Sequence, residues 1–171
     1  MRGHTTRYSG GLKNISVPQI PLPHDFFQDV ETVIAFFIPF EESVAESNFE
    51  NRNCSKEWAT SYIETNRLIY DLNRHIRDCL EIRSFDSAII PATHNFDPEL
   101  LISDWSHKHI AFIAGLGTLG TNNMLITEKG CCGRIGSIVT NAAVGRTLKN
   151  SHELCLYKYN GSWREMHRTL R

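Results

Sequence analysis

The sequence predicts an α/β (α+β) sandwich. Three observations lead there: a β-branched and aromatic run from Val33 to Phe40, a long helix-patterned stretch from Ser55 to Leu80, and two strand-like segments, Met124 to Thr127 and Ile135 to Asn141. Strand and helix patterns alternate with no internal repeat, as in layered mixed folds.

The elements follow in order. Residues 1–24 are polar and then proline-rich (Pro18, Pro21, Pro23), which predicts an extended N-terminal arm. Val33 to Phe40, VIAFFIPF, reads as a buried strand. The acidic, polar segment from Glu41 to Asn53 reads as a loop. In the next segment Trp58, Tyr62, Ile63, Leu68, Ile69, Leu72 and Ile76 recur at helical spacing, with Ser55 as N-cap. Ser87 to Thr93 is a short strand and His94 to Pro98 a loop. Ser103 or Asp104 caps a helix over Trp105 to Ala114, and Gly115 is its left-handed stop. The turn Glu128-Lys129-Gly130 separates the last two strands. The expected division is the arm 1–24, a cofactor-binding domain 25–150 and a linker remnant 151–171.

Size and composition set bounds. The chain has 171 residues, enough for one domain with a real core. Its net charge of -1 recruits neither nucleic acid nor an anionic membrane. No apolar run approaches the ~20 residues of a membrane span, and MRGHTTRYSGG lacks the apolar stretch of a signal peptide. A cytoplasmic protein is expected.

The segment Trp105 to Thr140 concentrates the chemistry. Gly115-Leu116-Gly117-Thr118-Leu119-Gly120 matches G-x-G-x-x-G. The dinucleotide fingerprint has a strand before that motif and a helix after it. Here the order is reversed, so a Rossmann site is rejected. Two readings of the glycines stand side by side. One is a helix stop followed by a tight turn; the other is a backbone brought close to a large flat or phosphate-bearing ligand, helped by Thr118, Thr121, Asn122 and Asn123. His107 and His109 point in different directions and share no metal; each reads first as a surface histidine. Asp104 is an N-cap or a proton donor. Arg134 holds an anion or is a solvated turn residue.

The five cysteines, Cys54, Cys79, Cys131, Cys132 and Cys155, form no C-x-x-C pair and so no zinc-ribbon signature. Cys54, Cys79 and Cys132 read as buried or half-buried thiols. On extended backbone the adjacent Cys131 and Cys132 diverge.

The stretch WSHKHIAFIAGLGTLGTNNMLITEKGCCGRIGSIVT, with VIAFFIPF, SKEWATSYIETNRLI and PATHNFDPELL upstream, resembles the epoxyqueuosine reductase-like family of iron–sulfur proteins, related to the reductive dehalogenases. The likeness spans Pro18 to Tyr159 and is closest to uncharacterised paralogues. It implies a nitroreductase-like, cobalamin-binding type of domain, a mixed sheet flanked by helices. It implies that Gly115, Leu116, Gly117, Thr118, Gly120, Asn122, Asn123, Thr127 and Ser137 lie along the corrinoid, with Asp104 and His107 as catalytic candidates. The resemblance implies a small-molecule or modified-nucleoside substrate and does not say which. FMN is the alternative cofactor, and a non-catalytic ligand-binding or remnant domain the alternative function.

The family continues from a Cys-Leu-Tyr segment into a C-x2-C-x3-C module whose thiolates hold [4Fe–4S] clusters. This chain has Cys155-Leu156-Tyr157, and Trp163 stands where the first clustered cysteine belongs. Removing one base from the Trp163 codon, with Arg164 encoded as CGN, yields cysteine there and a second from Met166-His167. The expectation is a frameshifted, truncated member that keeps Cys155 as the one family cluster ligand and turns nothing over alone. Apolar surface left by a missing module favours self-association.

Overall fold

The structure, a computed structural model, describes residues 23–49, 53–92, 96–97, 99, 102–103, 105–145, 147 and 152–161. The arm over 1–22, Asp104 and the tail after Gly161 lie outside them. The elements are β1 (Thr32–Pro39), α1 (Glu42–Glu46), α2 (Lys56–Glu81), β2 (Ser87–Ile89), β3 (Phe96–Asp97), β4 (Ile102–Ser103), α3 (His107–Ile113), β5 (Gly117–Leu119), β6 (Leu125–Thr127), β7 (Gly133–Thr140) and α4 (Leu156–Asn160).

The main sheet has three strands in the order β1-β7-β2. Both outer strands run antiparallel to β7, with Thr32 opposite Thr140 on one side and Ser87 opposite Thr140 on the other. β1 and β2 therefore run parallel to each other, joined through α2, with β7 inserted between them: a split β-α-β arrangement. Every strand pairing among the described residues is antiparallel, including the ribbons β3-β4 and β5-β6.

The central position of β7 follows from its side chains. Gly136 to Thr140 are all buried. A Cβ on Gly136 would sit 2.4 Å from the Phe36 ring, and one on Gly133 2.6 Å from the Phe37 ring. Glycine at these positions lets the β1 aromatic rings lie across the middle strand. On one face Ile69 and Asn73 of α2 are buried against the sheet. On the other, Trp105, Ile90 and Val139 form a core cluster with Phe27, Val30, Val33 and Ile110 around them. Each fully buried aliphatic side chain there contributes about 1.5–3 kcal/mol.

Ser55 caps α2 as expected, its Oγ accepting the Trp58 N–H at 3.0 Å. The helix stripe is narrower than the spacing implied: Ile69 is buried, whereas Ile63 and Leu68 are 67% and 46% exposed. Both sit off the Trp58–Tyr62–Ile69–Ile76 line. The segment read as a loop after β1 contains the short helix α1, and part of the loop before Pro98 pairs as β3. The strand begun at Ser87 ends at Ile89 rather than Thr93. α3 begins at His107, two residues later than expected, because Trp105 is drawn into the core and Ser106 takes the N-cap position. β1 is not a buried strand: none of its residues is fully buried, since β7 covers only one of its edges.

Replacing Ser55 with alanine removes the cap. The expected loss is about 1 kcal/mol of unfolding free energy, read by urea denaturation.

Candidate functional site

The glycine segment is built by local rules. The α3 helix ends with Ala114, and Gly115 follows at φ 83°. Its N–H bonds to Phe112 O, and the Leu116 N–H bonds to Ala111 O at 3.0 Å, the paired bonds of a Schellman stop. Gly117 then starts β5 opposite Thr127. A Cβ on Gly117 would meet the Ile126 carbonyl oxygen at 2.1 Å, so only glycine lets the two strands approach. Gly120 is similarly covered, its Cβ position lying 2.9 Å from Asn122 Oδ1.

The asparagines close the β5–β6 loop. Asn123 adopts φ 61° and bonds through its N–H to Gly120 O, while Asn122 Oδ1 accepts the Met124 N–H at 3.1 Å. A turn followed by a left-handed residue is a standard three-residue hairpin loop. Thr127 does the same work at the next turn: its Oγ donates to Gly130 O at 2.8 Å and accepts the Lys129 N–H.

Behind the hairpin lies a polar junction that sequence reading missed. Thr118 Oγ donates to Glu153 Oε1 at 2.8 Å and accepts the Leu154 N–H. The same Glu153 oxygen accepts the Cys155 N–H at 2.8 Å. These bonds, led by that from Cys155, hold the Glu153 carboxyl below its ordinary range. Lys158 Nζ donates to Leu119 O. Residues 152–161 thus fold back onto the hairpin. Cys155 is buried beside it, and backbone N–H groups of Lys158, Thr121 and Tyr157 pull its thiol pKa down against the opposing effect of desolvation. Gly161, left-handed at φ 73°, stops α4 and was the one sequence signal for that helix.

The second polar cluster surrounds Ser137, which is fully buried. Trp105 Nε1 can only donate, and it donates to Ser137 Oγ at 3.0 Å. The Ser137 hydroxyl proton is then directed to His107 Nδ1, 2.8 Å away, and His107 Nε2–H donates to Pro91 O at 2.9 Å. This relay fixes His107 as the neutral Nε2–H tautomer. Burial is the largest cause lowering its pKa; nearby Arg134 acts the same way and the Pro91 bond opposes it. His107 is therefore a half-buried structural residue rather than a surface one. Ser137 and His107 have the spacing of a nucleophile and base, but the serine is sealed from solvent and one of its lone pairs is occupied by Trp105.

The remaining candidates fall elsewhere. His109 is exposed, its Nδ1 2.6 Å from Ser106 Oγ. Arg134 does not lie in a turn: it is a strand residue, stacked 4.4 Å over the Tyr62 ring and donating to Asn66 Oδ1 at 3.0 Å. Asp104 lies outside the described residues. Cys54 is exposed rather than buried. Cys131 is exposed at the bend before β7 and Cys132 is half-buried; burial, followed by the neighbouring Cys131, raises the Cys132 pKa. Among the described residues no group of three His, Cys, Asp or Glu side chains is placed to hold a metal. A hollow of about 480 Å³ opens beside Leu116, lined also by Val33, Ala35, Ile113 and Val144.

These features define a mixed α/β protein with antiparallel sheets, and no described helix is long and apolar enough to cross a membrane. Comparison with family models, with curated proteins and with solved structures gives no match.

Two outcomes follow. Gly117→Ala is expected to cost about 1–3 kcal/mol of folding free energy by overpacking the hairpin, measured by urea denaturation. The neutral form of His107 is the one the fold accommodates, so its stabilisation is present above the unfolded-state pKa of about 6.5. It is lost as pH falls from there through the lower folded-state pKa. His107→Gln should flatten the stability profile between about pH 7 and 5, read by denaturation across a pH series.

Proposed function

We propose that this chain is an oxidoreductase-type domain of the epoxyqueuosine reductase-like kind, on a nitroreductase-like scaffold, which performs no redox step with its own residues alone. The observation that carries the reading is the seat of Cys155. The resemblance makes the cysteine of Cys155-Leu156-Tyr157 a cluster ligand. Here Cys155 is buried, and the backbone N–H of Lys158, ahead of those of Thr121 and Tyr157, lowers its thiol pKa against desolvation and the nearby Glu153 carboxylate. Such donors favour the thiolate, the form that ligates metal.

The rest of the set does not fit the group. A cubane cluster takes four thiolates, and the chain's four other cysteines lie on the approach to α2, on α2 and at the bend before β7. The glycine turn does not fit a corrinoid face either. The space above Gly117 is filled by the Ile126 carbonyl and that above Gly120 by Asn122. These residues support a scaffold that holds one buried thiol of lowered pKa beside a closed hairpin.

Ultraviolet titration of the thiols tests the first half. One group should ionise below the ordinary cysteine range, and that step should vanish in Cys155→Ser. Visible-spectrum titration with cob(II)alamin and with FMN tests the second: no saturable shift is expected at about 100 μM protein, which corresponds to binding weaker than about −5 kcal/mol. A saturable shift with either cofactor would show that the chain holds it unaided and overturn the proposal.

A further inference from the structure

We infer that the free edge of β1 is a docking surface for a second copy of this chain, pairing β1 with β1 antiparallel about Ala35. The argument begins with the hydrogen-bond phase. Phe40 N–H bonds to Cys132 O at 2.9 Å, and on the far side of β7 Asn141 N–H bonds to Asp86 O. In an antiparallel ladder these groups alternate in direction. Even-numbered positions of β1 therefore face β7, while Val33, Ala35 and Phe37 aim their N–H and C=O groups away from it. Among the described residues β1 pairs with β7 alone, so those groups form an open edge. Pro39 has the same outward phase and lacks an N–H, which is where an edge strand tolerates proline.

The side chains give the edge its chemistry. Five of the eight β1 residues are Val, Ile or Phe, yet none is fully buried. A long apolar edge is normally blunted by charge or covered. The hollow of about 480 Å³ runs along the Glu31–Ala35 half of this edge, and its rim carries Ile113 and Val144, 70% and 50% exposed.

A second copy meets these demands. With Ala35 on the two-fold axis, Val33 faces Phe37 of the second copy and Ala35 faces its equivalent. Every outward N–H and C=O over Val33 to Phe37 then finds a partner, and Pro39, which cannot donate, falls just beyond that window. The half of β1 that borders the hollow is faced by Phe37 and Pro39 of the second copy, across a mixed rim in which Ile113 and Val144 stand beside Glu31, Thr32 and Thr147. The pairing is isologous, as two-fold interfaces are. Net charge -1 leaves little long-range repulsion between copies. Glu31 and Glu41 flank the window and bring like charges together at its ends, so added salt should tighten the dimer.

The test uses the full chain. Sedimentation between about 1 and 100 μM should show a monomer–dimer equilibrium, as mass action requires. Over the same range the amides of Val33, Ala35 and Phe37 should become protected by about tenfold or more, while those of Ile34 and Phe36 stay protected throughout. Ala35→Pro removes one outward donor and leaves the bonds to β7 intact. Ile113→Glu charges the rim without touching the strand, and is read alone if the proline variant fails to fold. Both should be monomeric with an unchanged circular dichroism spectrum. A wild-type chain monomeric at the upper concentration, odd-position amides that ignore concentration, or a dimer indifferent to both substitutions would each overturn the inference.

Discussion

Everything in the main layer converges on Ser137. Its hydroxyl joins Trp105 and His107 on one face of the sheet, and its carbonyl accepts Asn73 Nδ2 from α2 on the other at 3.3 Å. The carbonyl is free to do so because β2 stops at Ile89, opposite Ile138, one residue short of pairing with Ser137. A side-chain amide thus takes the place of the missing rung. Buried polar groups without partners are costly, so this one residue sets where α2 sits and where the chain before α3 turns inward. The arrangement is nearly complete: Asn73 Oδ1 is buried without a hydrogen-bond partner.

The glycine segment illustrates how one pattern serves two explanations. Three glycines and two asparagines after a helix read equally well as a ligand cradle and as turn chemistry. Turn chemistry accounts for two of the glycines through what each missing side chain would strike. At Gly117 it is a strand carbonyl and at Gly120 a loop asparagine. What the segment does organise is the Glu153–Cys155 junction, where one carboxylate oxygen gathers a hydroxyl and a backbone N–H.

The fold class was legible because its signals are local and periodic. β1 and α2 were set by pattern, and the cap at Ser55 and the stop at Gly115 by residue type. The site was legible only as a list of residues. That Ser137 would be sealed, that His107 would turn inward, and that Arg134 would lie over Tyr62 depend on which face of β7 each occupies, and nothing local reveals that β7 is central. The edge position of β1 was hidden for the same reason. An apolar run reads identically whether one or two neighbours flank it. α4 and β5 were missed because five and three residues carry too little periodicity to register.

The order of the sheet has a consequence for biogenesis. The strand that joins the other two is the last of them in the chain, and Thr32 meets Thr140 only after more than a hundred intervening residues have been made. Closing so long a loop costs entropy before any contact repays it, and folds dominated by distant pairings form slowly. On the ribosome, VIAFFIPF must wait as a bare hydrophobic segment while α2 forms behind it. That interval, rather than any weakness of the finished molecule, is when the chain is most exposed to aggregation and most in need of a chaperone.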